Sequence, residues 1–342
     1  METAAVMTDE VVHVLEVTIM LLLVILAGLL LRKKKLLDDC STERLSVFVV
    51  DITFPALVFT SMLRTVDPQV LSRSWYLPLT GMVIFILGMG LGYLAAPLFK
   101  ATGGPGRGSL AFAVGTPNWL FIPLPIAIAL YGNQGQNIVL LVNVGALLIF
   151  WSVGVWIVRG GDPGSISLRR ILLNPGLLAT ILGILIALAF PMTRTLEEAD
   201  VTTIGFVPAA LSVIVQAMAF IGDITVPLSM IVTGSLLAES GTRGAWNIRI
   251  ILISAIRLLV IPAIVLLLIR LADLIGIHIP TAVGMTIIII SAMPVAITCS
   301  IVADKNDGDV ELVSHTIFIS TIASVVTVPV IVWFSFFAAG LP

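Results

Sequence analysis

Asp51, Asp223, Arg257 and His315 stand within or beside stretches that are otherwise apolar. A charge at mid-bilayer costs about 3 kcal/mol or more, so such residues normally face a polar interior, pair with each other or handle an ion. Asp51 and Asp223 open two nearly identical pentapeptides, DITFP (51–55) and DITVP (223–227), each Asp four residues ahead of a proline. Two readings follow. Either the carboxylates bind a coupling ion, H+ or Na+, or each N-caps a helix that starts near the membrane surface. Arg257 is carried as a third ion-coupling candidate, although a structural counter-charge explains it as well. His315 falls a turn inside its helix and receives no role.

A second group combines helix breakers with uncharged polar side chains. GTPNWLFIPLP (115–125) puts Thr116, Pro117 and Asn118 in the middle of an apolar segment, and SAMPVAITCS (291–300) does the same with Pro294, Thr298 and Ser300. Proline removes a backbone donor and clashes with the preceding turn. Thr-Pro also suits a helix restart, with Thr116 as N-cap and Pro117 in the first helical position, and Pro294 is expected to open a half-helix in the same way. Two half-helix N-termini at mid-depth, each worth about half a positive charge, suit an anion and above all a carboxylate. Asn118 can donate and accept, Thr298 and Ser300 offer hydroxyls, and Asn143 in the next segment is a further polar candidate. Simple kinks are the alternative. The symmetric placement favours a binding site.

The elements that must hold these residues are membrane helices. Of 342 residues 58% are hydrophobic and 11% charged, with mean hydropathy +1.14; a soluble domain keeps about a quarter of its residues charged. Apolar runs near 11–31, 45–63, 76–98, 109–131, 138–158, 172–191, 219–238, 249–271, 280–303 and 312–338 each suffice to span a bilayer. An amphipathic stretch at 205–218 is expected to lie at the interface. The first run has acidic residues before it and RKKK after it, so it reads as a true span and not a secretory leader. Cys40 and Cys299 make neither a zinc set nor a disulfide framework, no metal or cofactor is implied, and no basic stripe suggests nucleic acid.

Arg32, Lys33, Lys34, Lys35, Arg44, Lys100, Arg107, Arg159, Arg169, Arg170, Arg243, Arg249 and Lys305 gather on one side. Only Arg64, Arg73, Arg194 and Arg270 fall on the other, with Glu197, Glu198 and Asp200. The basic side is therefore expected to be cytoplasmic, with both termini outside the cell membrane.

The pentapeptide recurs 172 residues along (51 to 223), and the second proline pair 177 (117 to 294). The fold expected is all-α and integral to the membrane. Its ten transmembrane helices form two inverted five-helix repeats, 1–160 and 161–342, with helices 4 and 9 broken and crossing.

Several motifs resemble the auxin efflux carrier family and its bacterial permease relatives, in the bile-acid symporter superfamily. PNWLFIPLP (117–125), RLLVIP (257–262), AMPVAITCSIVA (292–303) and LLNPG (172–176) are similar to its segments and stand in the same order. The resemblance implies a scaffold and a transport domain, a crossover built on Pro117 and Pro294, and a substrate-contacting asparagine at Asn118. It also implies alternating-access transport of a small organic anion such as malonate, malate or an auxin-like acid. Pro123 replaces a family glycine, and the long central loop of many plant members is absent, so plant-type auxin transport is not implied. The partners expected are the anion, H+ or Na+ and the lipid bilayer, and a homodimer is left open. A ligand sensor with a transporter fold is one alternative. An intramembrane aspartyl protease using Asp51 and Asp223 is another, weakened by Phe220 where a glycine belongs.

Overall fold

The computed structural model describes residues 2–101, 104–161, 169, 173–195, 206–239 and 245–339. Arg170, Arg243, Glu197, Glu198 and Asp200, used above for orientation, lie outside the described residues. Among the described residues the regular structure is helical throughout.

Helix α1 (Glu2–Lys33) ends on Arg32 and Lys33, cations that suit a helix C-terminus. Asp38 caps α2 (Asp39–Phe48) by accepting the Ser41 N–H at 2.8 Å, and the helix runs on through a π-helical turn, Val49–Thr53, into α3 (Phe54–Thr65). The short α4 (Pro68–Ser74) precedes α5 (Leu77–Ala95). Helix α6 (Gly104–Gly115) gives way to an unwound stretch. Helix α7 (Pro123–Ile149) follows and continues through a second π-helical turn, Phe150–Gly154, as far as Val158. Asn174 caps α8 (Pro175–Ala189). Then come α9 (Phe206–Asp223), α10 (Thr225–Glu239) and α11 (Ile248–Ala255), a third π-helical turn at Ile256–Val260, and α12 (Ile261–Leu274). Helix α13 (Thr281–Ser291) unwinds before α14 (Thr298–Lys305), and α15 (Val310–Ala339) completes the chain.

Among the described residues seven helical stretches are long and apolar enough to cross a membrane: Val12–Lys33, Asp39–Thr65, Pro68–Phe99, Pro123–Val158, Pro208–Ala238, Ile248–Leu274 and Val310–Phe336. Pro175–Ala189 and Thr281–Ser291 are shorter apolar helices. The surface carries exposed Leu23, Leu94, Leu98, Leu185, Phe220 and Leu274, while Thr116, Asn143, Arg257 and Ser291 are buried. That inversion is what a lipid solvent demands.

Helix α1 packs along α10, and α3 along α8 and α9; α5 packs on α6 and α7, α13 on α7, and α15 on α11 and α14. The α1–α10 approach depends on small residues. A Cβ on Gly28 would sit 2.1 Å from the Ile231 carbonyl oxygen, and one on Gly234 would sit 1.8 Å from that of Ile25. Backbones this close are the usual device where lipid gives helices no hydrophobic reason to associate.

Three of the departures from the expected boundaries have a local cause. The segment expected at 45–63 begins at Asp39, because the Asp38 cap adds a turn and a half. The amphipathic stretch 205–218 becomes part of α9, which runs to Asp223 because Ser212, Val215 and Gly222 keep one face buried, Gly222 against Leu57. Residues 132–137, expected as a loop, are helical. There the chain turns back at Gly132, with φ 55° and ψ −137°, so that Gly135 lies against the Ala127 carbonyl. That backbone region is open only to glycine.

A Cβ added at Gly132 would meet nothing within 4 Å, so a substitution there tests backbone strain alone. Gly132→Ala should lower thermal stability in detergent by about 1–3 kcal/mol. Gly90→Ala, equally uncrowded but helical within α5, should leave stability unchanged or raise it.

Candidate functional site

The two unwound stretches, 116–122 and 292–297, meet each other. The Asn118 N–H donates to the Pro294 carbonyl at 2.7 Å, and the Ala296 N–H donates to the Thr116 carbonyl at 3.0 Å, which makes Pro117 and Val295 an antiparallel bridge. In that arrangement residues 117 and 295 form the pair that exchanges no hydrogen bonds of its own. Proline therefore fits at 117, where no N–H is required, and Pro294 contributes only its carbonyl. The Val295 N–H, left over, donates to Ser320 Oγ at 3.1 Å. Here the structure departs from the restart expected at Thr116-Pro117 and at Pro294: the helices resume only at Pro123 and Thr298. Cross-chain pairing satisfies the backbone that helix would otherwise have to satisfy, and so permits the longer gap.

Arg257 lies in the third π-helical turn, fully buried. Its Nε donates to the Met293 carbonyl at 3.0 Å, its Nη1 to that of Val114 at 3.1 Å and its Nη2 to that of Ser291. One guanidinium thus holds the carbonyl ends of both α6 and α13. Asp51 lies in the first π-helical turn, and the two turns share an origin. In each, the last i to i−5 bond (Phe54 N–H to Val49, Ile261 N–H to Ile256) falls just before a proline, Pro55 or Pro262. The missing N–H and the ring clash widen the turn.

Beside the crossover is a cavity of about 110 Å³, room for several waters or a compact organic molecule. Asn118, Asn143 and Thr298 line it, with an aromatic wall of Phe54, Trp119, Phe121, Phe150 and Trp151, and with Ser229 and Thr233 on α10 facing them. Among the described residues no charged side chain lines it. Asn118 Oδ1 accepts the Phe121 N–H at 3.1 Å, and Asn143 Oδ1 accepts the Trp119 Nε1–H at 2.6 Å. Both oxygens are thereby occupied, which turns the amide NH2 groups toward other partners. Asn143 Nδ2 and Thr298 Oγ1 are buried without a hydrogen-bond partner among the described residues. Buried donors of this kind call for a ligand or water.

A wider vestibule of about 500 Å³ adjoins the cavity, sharing Val50, Trp151 and Asn174 with it, and is lined also by Asp51, Arg169, Leu173 and Pro175. The two hollows thus share a wall on the side of Arg169.

The remaining expected residues fall elsewhere. Thr116 is buried behind the bridge, its hydroxyl toward the Cys299 thiol. Ser300 turns its Oγ back to the Ile297 carbonyl at 2.9 Å and does not line the cavity. Asp223 ends α9, exposed and outside both hollows, and no hydrogen bond joins it to Asp51. Neither Asp serves as the N-cap weighed for it: Asp51 is inside a continuous helix and Asp223 closes one. His315 Nδ1 is 3.9 Å from Glu311 Oε1. The aromatic wall and the α10 hydroxyls escaped sequence reasoning. Ser229 and Thr233, one helical turn apart, were a legible polar face; the aromatics looked like any lipid-facing or core residue.

A helical membrane protein with paired unwound segments beside a largely apolar internal cavity that carries a few polar groups has the makings of a transporter. The chain belongs to the membrane transport protein family, whose model matches residues 13–162 and 164–332, the auxin efflux carrier family that its motifs resemble. It is also similar to an uncharacterized transporter of Methanothermobacter thermautotrophicus, 26% identical over 294 residues that cover 85% of this chain and 88% of the relative.

The Trp119–Asn143 bond can be measured as a coupling. In a double-mutant cycle of Trp119→Phe and Asn143→Ala, thermal unfolding should give an interaction of about 1 kcal/mol or more, since either single change strands a buried polar atom. Additive effects would show that the bond does not hold the wall in place.

Proposed function

We propose that this protein is a secondary active transporter of a small organic anion that works by alternating access. The observation that carries this reading is the convergence of donors on one cavity. Asn118, Asn143 Nδ2 and Thr298 Oγ1 stand beside the N-terminal ends of α7 and α14, and among the described residues no carboxylate opposes them. A carboxylate satisfies several donors at once and gains from the helix ends. The aromatic wall suits the carbon skeleton of the same molecule.

We read the chain as ten spans: α1; α2 with α3; α5; α6 with the first arm of α7; the second arm of α7; α8; α10; α11 with α12; α13 with α14; and α15. On this reading α4 and α9 stay out of the count, and 1–160 and 161–342 are two inverted repeats. The pentapeptides, one inside the second span and one at the entry to the seventh, and the breaks in the fourth and ninth support it. With the basic side cytoplasmic and both termini outside the cell membrane, the vestibule at Arg169 opens inward. Of the three ion-coupling candidates, Asp51 lies in that vestibule, which favours it over Asp223 and Arg257 as the site where H+ or Na+ would act.

Proteoliposomes carrying the purified protein, given an inward H+ or Na+ gradient, should accumulate at least one of labelled acetate, malonate, malate and phenylacetate. Asn118→Ala should cut that flux tenfold or more while the protein keeps its fold. Absence of gradient-driven flux for all four acids would overturn the reading.

A further inference from the structure

Arg257 is a buried cation with no carboxylate among the described residues to answer it. Its three donor contacts go to backbone carbonyls. Among the described residues the one titratable group close enough to act on it is the buried Cys299 thiol. Arginine keeps its charge in such surroundings, and an isolated buried charge is costly unless something offsets it.

Part of the offset is visible. The carbonyls it holds are the C-terminal ends of α6 and α13, each worth about half a negative charge. One guanidinium therefore balances both. The opposite poles of the crossover, the N-terminal ends of α7 and α14, border the cavity through Asn118, Trp119, Leu120 and Phe121 and through Ile297 and Thr298. Among the described residues they have no such counterpart, because no anionic side chain there lines the cavity. With its negative poles neutralised, the crossover presents about one net positive charge to the cavity.

We propose that Arg257 is the residue that makes this site select anions: without touching the substrate, it cancels the carbonyl poles of both broken helices and leaves their amide poles to act on the cavity. The inference rests on the organic-anion reading above and adds the source of its charge preference. Arg257 is thus a positioning and field-setting residue. A purely structural role would change affinity for charged and neutral ligands alike; a field role changes only their ratio.

The test compares binding of acetate, phenylacetate and malonate with binding of their neutral amides to the purified full chain, by calorimetry. The wild type should prefer at least one acid over its amide. Arg257→Gln should lose that preference by about tenfold or more while still binding the amide, and Arg257→Lys should keep most of it. Should Arg257→Gln fail to fold, Cys299→Asp keeps Arg257 in place and sets a carboxylate beside it, with Cys299→Asn as the neutral control. The acid preference should fall in the Asp variant and persist in the Asn variant. If either folded variant, Arg257→Gln or Cys299→Asp, retains the wild-type preference, the proposal is wrong while the anion reading survives. If the wild type binds none of the acids, the anion reading itself falls and takes this proposal with it.

Discussion

Two backbone hydrogen bonds between the unwound stretches, Asn118 to Pro294 and Ala296 to Thr116, carry the constraint on which the rest of this structure depends. In lipid, every exposed N–H and C=O must find a partner within the protein, and each failure costs several kcal/mol. Breaking one helix inside the protein strands a set of such groups; breaking two side by side lets each set supply the other. The prolines are compatible with that pairing because they occupy positions that owe it no N–H. The leftover carbonyls beyond the bridge go to Arg257, and the leftover Val295 N–H goes to Ser320. The bridge, Arg257 and Ser320 together thus satisfy much of the backbone that the two breaks expose.

The π-helical turns belong to the same logic. Prolines 55 and 262 each widen the turn before them, and those turns carry Asp51 and Arg257, two of the charged residues set in apolar surroundings. A wide turn moves a side chain around its helix without ending the helix. For Arg257 the outcome is a guanidinium that reaches three carbonyls on two other helices. For Asp51 it is a carboxylate that faces the vestibule.

Much of this was legible in the letters. Low charge content fixed the solvent as lipid, and the pairing of prolines with Thr, Asn and Ser marked both breaks. Asn118, Asn143 and Thr298 all line the cavity. What was not legible depends on contacts between distant segments. Thr116-Pro117 reads locally as a helix start, yet the chain stays extended because its partner strand lies at 294–296. The polar run after Tyr131 reads as a loop, yet it is helical, because Gly132 supplies the reversal and Gly135 the close approach to Ala127. Arg257 called for a partner, and its partners are carbonyls, which leave no mark in a sequence. Thr116 and Ser300 have the right chemistry at the right depth but turn away from the cavity, a matter of a fraction of a helical turn.

The pairing itself is the point to measure. Residues 117 and 295 form the close, non-hydrogen-bonded kind of antiparallel pair, whose Cα atoms lie about 4.5 Å apart, within reach of a disulfide. With Cys40 and Cys299 replaced by serine and alanine, Pro117→Cys and Val295→Cys should cross-link under mild oxidation in native membranes, and Pro117→Cys should not cross-link to a cysteine at Val283. A Pro117–Val295 pair that stays reduced while both cysteines remain alkylatable would mean that the two breaks do not meet, and the site built on them would not exist.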